Sequence, residues 1–185
     1  ETVVNKEIKK IQEWLIVNKL TINLKKSSYV IFGHYTKILT SNIKIKMFDN
    51  VQNNYILLER KDNVKYLGIL IDNKLSWKPH IDLISSKISK TVGLIGRLRH
   101  YIPFNTLITL YKSLVQPYLS YGLNSWGQAN KTNLSKILLL QKKALRLIHF
   151  ANKRDSALTF FVESNILPIN FSYYESIVLL MYDVV

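Results

Sequence analysis

Val64-Lys-Tyr-Leu-Gly-Ile-Leu-Ile-Asp-Asn-Lys-Leu-Ser-Trp77 is the stretch on which the chain turns. Its first half is apolar and β-branched, with Ile69 and Ile71 around Leu67 and Leu70, which predicts a strand. Gly68 falls inside that strand, where a glycine marks a bulge or a close backbone approach. Asp72-Asn73 signals a turn. Ser76 then offers a helix N-cap and Pro79 lies in the first turn, where its missing N–H costs little. A strand with a glycine gap is thus expected to feed a long helix.

Upstream, Val4, Ile8, Ile11 and Leu15 recur at helical spacing, so Val3 to Lys19 is expected to be a helix. Strands are expected at Ser28 to Gly33, Ile43 to Phe48 and Asn54 to Leu58, with a turn at Asp49-Asn50. Short strands joined by short turns imply an antiparallel sheet on which the helix packs. Downstream, Lys78 to Tyr101 is a helix with Ile81, Ile84, Ile88, Ile95 and Leu98 inward. Thr106 to Gly122 is another, with Leu107, Leu110, Leu114 and Tyr118 on one side and a kink at Pro117. Asn133 to Phe150 is a third, with Leu134, Ile137, Leu138, Gln141, Leu145 and Ile148 inward. Ala157 to Glu163 and Asn170 to Asp183 follow. The expected class is α+β: a small antiparallel sheet with one packed helix over residues 1–76, then an all-helical bundle over residues 77–185.

The 185 residues, 48% of them hydrophobic, are enough for a core. There is no cysteine, so neither a disulfide framework nor a thiolate metal site is available. No apolar run is long enough for a membrane span and no secretory leader is legible, so an intracellular protein, in cytoplasm or nucleus, is expected. Glu1 at one end and an interrupted apolar pattern at the other suggest a piece of a longer chain. The net charge is +14, unevenly spread: residues 155–185 hold Asp155, Glu163, Glu175 and Asp183 and no cation, leaving +18 on the first 154. Such an excess suggests a polyanion partner, most often nucleic acid; a merely soluble basic surface is the alternative.

Catalytic patterns are missing. The sequence has no Gly-rich phosphate loop, no Gly-x-Ser-x-Gly, no His-Glu-x-x-His, and neither Asp-Asp nor Asp-x-Asp. His34, His80, His100 and His149 are scattered and read as surface or helix-end residues.

Three stretches carry a resemblance. The first is Gln12-Glu13-Trp14-Leu15, Asn18-Lys19-Leu20-Thr21-Ile22-Asn23 and Lys26-Ser27, followed by Tyr29-Val30-Ile31-Phe32. The second is Lys65-Tyr66-Leu67-Gly68, with Ile71-Asp72 and Leu75-Ser76-Trp77. The third is Leu110 to Gly122, then Trp126-Gly127, then Leu140-Gln141-Lys142-Lys143-Ala144-Leu145-Arg146. In this order they resemble the back half of the reverse transcriptases of non-LTR, jockey-like retrotransposons: part of the palm, the primer-grip hairpin and the helical thumb.

That resemblance implies an RNA-directed DNA polymerase fragment that positions an RNA template and a DNA primer. Its partners would be that duplex and the upstream fingers and palm segments, with no membrane. It implies that catalytic Mg²⁺ is held by carboxylates upstream of Glu1, that this chain has no cofactor of its own, and that it does not polymerise alone. Lys26 matches a family lysine able to contact phosphate or donate a proton to leaving pyrophosphate; the bland reading is a solvated loop lysine. Lys65, Tyr66, Leu67 and Gly68 match the primer grip; an ordinary buried strand is the alternative. Lys87, Lys90, Arg97 and Arg99, with Lys142, Lys143 and Arg146, are candidate phosphate contacts or simply wet helix faces. Tyr101, Tyr111, Tyr118 and Tyr121 either stack on bases or pack the helices. Trp14, Trp77 and Trp126 read as core or hinge anchors. Two other functions stay open: a non-catalytic nucleic-acid-binding domain derived from such an element, and a helical interaction module.

Overall fold

A computed structural model describes residues 2–33, 43–49 and 53–182. The chain is mixed α and β and divides into two compact units, Glu1–Leu75 and Ser76–Val185. Each is built around its own apolar cluster.

The first unit opens with α1 (Thr2–Val17) and a 3-10 turn at Leu24–Lys26. Among the described residues six short strands follow: β1 (Ser28–Tyr29), β2 (Lys46–Asp49), β3 (Asn54–Leu57), β4 (Glu59–Arg60), β5 (Asn63–Tyr66) and β6 (Ile69–Asp72). One antiparallel sheet was expected. Among the described residues there are instead three two-stranded ladders: β1 with β4, parallel, and the antiparallel pairs β2–β3 and β5–β6. The expected strand from Ser28 to Gly33 stops at Tyr29 because its partner β4 is only two residues long. The predicted turn at Asn50 and His34 lie outside the described residues.

Alternation works as expected around β2. Ile45 and Met47 are buried while Lys44 and Lys46 are exposed. With Leu58 they form the centre of the cluster, flanked by Ile8 of α1 and by Ile22, Leu24, Tyr29 and Ile43. Two carboxamides on α1, one heptad apart, fasten the helix to this strand. Asn5 donates to Lys44 O and accepts from Lys46 N–H; Gln12 donates to Phe48 O and accepts from Phe48 N–H. They satisfy backbone groups on the side of β2 away from β3, so that edge does not invite another strand. Trp14 is 59% exposed, so it is not the core anchor its size suggests.

The second unit is helical: α2 (Lys78–Leu98), α3 (Phe104–Leu114), α4 (Gln116–Ser120), α5 (Leu123–Trp126), α6 (Lys131–Ile148), α7 (Leu158–Glu163) and α8 (Ile169–Tyr182). Trp77, not Ser76, is the residue before α2; the Ser76 hydroxyl still accepts from Lys78 N–H at 3.3 Å, and Pro79 lies in the first turn. Ile81, Ile84, Ile88, Val92 and Ile95 bury one stripe of α2 against α6, whose Leu134, Ile137, Gln141, Ala144, Leu145 and Ile148 are buried in turn. Pro117 divides the expected long helix in two at Val115, since its ring and missing N–H interrupt the ladder. The buried stripe there is Leu107, Tyr111, Val115 and Leu119, rotated from the expected one; Leu114 and Tyr118 are exposed. Tyr111 can turn inward because Gln141 meets its hydroxyl.

Trp126 is fully buried and donates through Nε1 to Tyr121 O at 3.0 Å. Trp77 is half-buried against the same cluster. Of the four tyrosines, only Tyr111 is buried; Tyr101, Tyr118 and Tyr121 are exposed. No helix of the described residues is long and apolar enough to cross a membrane.

Candidate nucleic-acid interface

The stretch Asn63 to Asp72 is a hairpin rather than a strand containing a glycine. Tyr66 pairs with Ile69, leaving Leu67-Gly68 as a two-residue loop. Both loop residues have positive φ, 45° and 86°, which is the type I′ pattern. Gly68 is therefore required by the turn, and it closes the hairpin instead of interrupting a strand. The β-branched run read as one strand because Leu67 occupies a position where Asn or Gly normally signals the turn. Lys65, Tyr66, Leu67 and Gly68 are consequently all exposed at the hairpin end, not buried. Lys26 ends the 3-10 turn. Its N–H bonds Asn23 Oδ1, the Ser27 hydroxyl bonds Asn23 O, and its ammonium has no partner among the described residues.

In the helical unit up to Arg154 the electrostatics rest on one acid. Between Asn73 and Arg154 the sole acidic residue is Asp82. Lys136 of α6 reaches it at 2.6 Å and Lys78 at 2.9 Å, fixing the start of α2 to α6. The bond from Lys136, then that from Lys78, hold the Asp82 carboxyl below the usual carboxylate range. This acid is thus already neutralised twice over, and the other cations of the bundle have no carboxylate within their own stretch to answer them.

The structure sorts the expected phosphate contacts into two groups. Lys87 lies over the Tyr118 ring at 5.1 Å. Arg99 is half-buried over Phe150, at 5.3 Å, and donates through Nε to His100 Nε2. Arg146 is half-buried and donates to Asp155 O at 2.9 Å, holding the turn after α6. These three serve internal contacts. Lys90, Arg97, Lys142 and Lys143 have no partner among the described residues. Lys90 and Arg97, two turns apart, share one exposed stripe of α2. Lys142 and Lys143 are consecutive and so diverge by about 100° around α6. Lys112, Lys131, Lys153 and Arg154, absent from the sequence expectation, are likewise exposed without a partner among the described residues. Their signal was the missing acids, a property of the whole stretch rather than of any motif.

His80 and His149 are engaged in internal contacts. Burial, and secondarily the charge of Lys87, lowers the His80 pKa; its ring meets Trp126 edge-on. His149 is stacked on Phe160, bonds the Ser164 hydroxyl through Nε2 at 2.9 Å and lies 3.4 Å from Glu163 through Nδ1. Among the described residues no three His, Asp or Glu side chains come together.

Comparison with known proteins gives the context for this geometry. The chain is 33% identical over 141 residues to the RNA-directed DNA polymerase from mobile element jockey of Drosophila melanogaster, covering 74% of this chain and 14% of that protein. The corresponding jockey polymerase of Drosophila funebris is 30% identical over the same share of each. It is homologous to a stretch of the jockey-like RNA-directed DNA polymerases. A probable RNA-directed DNA polymerase from transposon X-element of Drosophila melanogaster is 27% identical over 140 residues, again 74% of this chain. This jockey-like stretch therefore spans about one seventh of the relatives it matches, 14% of their length. No family model and no solved structure matches it.

Proposed function

We propose that this jockey-like chain is the part of a non-LTR RNA-directed DNA polymerase that holds the template–primer duplex: residues 1–76 as the end of a palm with its primer grip, residues 77–185 as a thumb. One observation carries the reading. Asp82 is the single acid of a long basic stretch and is taken up by Lys78 and Lys136, while Lys90, Arg97 and Lys143 are exposed, Lys142 is half-buried, and none of the four has a partner among the described residues. Unanswered cations on a rigid helical frame are what a phosphate backbone recruits, through release of its condensed counterions.

In the intact polypeptide the exposed hairpin end, Tyr66 with the loop Leu67-Gly68, would lie against the primer strand, with Lys65 supplying charge. Lys26 would stand near the polyphosphate of the incoming nucleotide. The Mg²⁺ ions of polymerisation would be bound by carboxylates of other segments. A template RNA and a DNA primer would be the partners, and nucleus or cytoplasm the setting.

Fluorescence anisotropy with an RNA template annealed to a DNA primer tests the proposal. The 185-residue chain should bind at low ionic strength and release the duplex as salt rises. Absence of binding at low salt would leave the second reading, a helical interaction module. That reading draws on α8, where Phe171, Tyr174, Val178 and Leu179 are exposed on a helix without charge pattern.

A further inference from the structure

Gly93 lies within α2, three residues after Lys90 and four before Arg97. A glycine inside a helix is destabilising relative to alanine. Internal packing supplies no reason for it: a Cβ at Gly93 would meet nothing within 4 Å. Gly96, on the same helix, is different, because a Cβ there would touch the Leu147 side chain of α6 at 3.5 Å. Residues three and four apart share a helix face, so Gly93 is flanked by Lys90 and Arg97 on the exposed side. Both flanking cations lack a partner among the described residues. The result is a patch of bare helix backbone between two unanswered positive side chains.

The geometry points to Gly93 as a seat for one phosphodiester strand of a nucleic-acid duplex, with Lys90 and Arg97 taking phosphates on either side of it. This rests on the nucleic-acid reading above and adds to it the point of closest approach. Lys90 and Arg97 are about 10 Å apart along the helix. One strand carries a phosphate per 3.4 Å of duplex axis, so the two cations span about three steps of a single strand. The missing Cβ lets that strand lie against the helix, and the two long side chains reach round it. Contacts of this kind position a duplex without reading its sequence.

Gly93→Leu separates the seat from the fold. Its side chain enters open space, so the variant should melt no lower than the parent chain. It should lose about tenfold in affinity for a short RNA–DNA hybrid, while Thr109→Leu, an exposed change on α3, should lose none. Lys90→Ala and Arg97→Ala should each reduce the slope of log affinity against log salt by about one. Parent-like affinity of Gly93→Leu, with the parent binding the hybrid, overturns the seat alone. No salt-dependent binding by the parent overturns the nucleic-acid reading and the seat together. Should Gly93→Leu melt lower, the two alanine variants decide, and unchanged slopes overturn the seat.

Discussion

Gln141 Nε2 donates to the Tyr111 hydroxyl at 3.1 Å in the middle of the helical core. The same carboxamide donates to Leu167 O and accepts from Ile169 N–H at 2.8 Å. One fully buried side chain thus joins α6, α3 and the entry to α8. Burial pushes the Tyr111 phenol up to about 12, partly offset by the Gln141 bond, so the hydroxyl stays neutral.

Gln141→Leu keeps the volume but leaves three buried polar groups unsatisfied, each worth about 1–3 kcal/mol. The helical unit should lose about 3 kcal/mol or more. Tyr111→Phe removes a single partner and should lose about 1 kcal/mol. Urea unfolding of both variants measures this. Equal losses would show that the carboxamide bridges nothing beyond Tyr111.

Gly127 is buried where a Cβ would run into the Tyr173 ring and stand 2.7 Å from Leu123 O. Its φ of −66° is ordinary, so only space restricts the position. Gly127→Ala should destabilise by about 1–3 kcal/mol through overpacking. Adding Tyr173→Leu should recover only part of the loss, because the carbonyl contact is backbone. Thermal melts of the single and double variants provide the comparison.

His80 and His149 both have pKa values below the ordinary 6.5, for which burial is the main cause. As pH falls through 6.5 the unfolded chain takes up these protons first, so it binds more protons than the folded one. Stability from these groups is full above pH 6.5 and is lost as pH drops from there through the lower folded values. Melting temperature should decline from pH 7.5 to 5.5, and less steeply in His149→Gln. A flat profile in both proteins would contradict the assignment.

Leu67 occupies the left-handed region at the hairpin turn, where a branched apolar side chain is unfavourable by about 1–2 kcal/mol. Leu67→Asn creates the Asn-Gly pair that type I′ turns favour. It should stabilise the first unit by about 1 kcal/mol, read from its unfolding midpoint. Unchanged or lowered stability would mean that Leu67 makes contacts outweighing its strain.

The inner stripe of α6 was legible because Leu134, Ile137, Gln141, Leu145 and Ile148 recur at spacings of three and four; Leu138, expected beside them, is only half-buried. The stripe of α3 and α4 was not, since Leu110 and Leu114 are as apolar as Leu107 and Leu119, and only Gln141 across the core decides which side turns in. The hairpin end was hidden by Leu67 standing where a turn residue belongs. Charge sufficed to nominate Lys87, Lys90, Arg97, Arg99, Lys142, Lys143 and Arg146. Which of them are occupied depends on Tyr118, Phe150 and the Asp155 carbonyl, partners that only folding brings near.

The most direct measurement is the salt dependence of hybrid-duplex binding by the parent chain and by Lys90→Ala/Arg97→Ala/Lys142→Ala/Lys143→Ala together. Each neutralised phosphate contributes about 0.9 to the slope on a duplex, so the variant should lose about 3–4 units of slope while its melting temperature holds. A variant slope equal to the parent's would place the polyanion elsewhere and contradict the role given to these four cations.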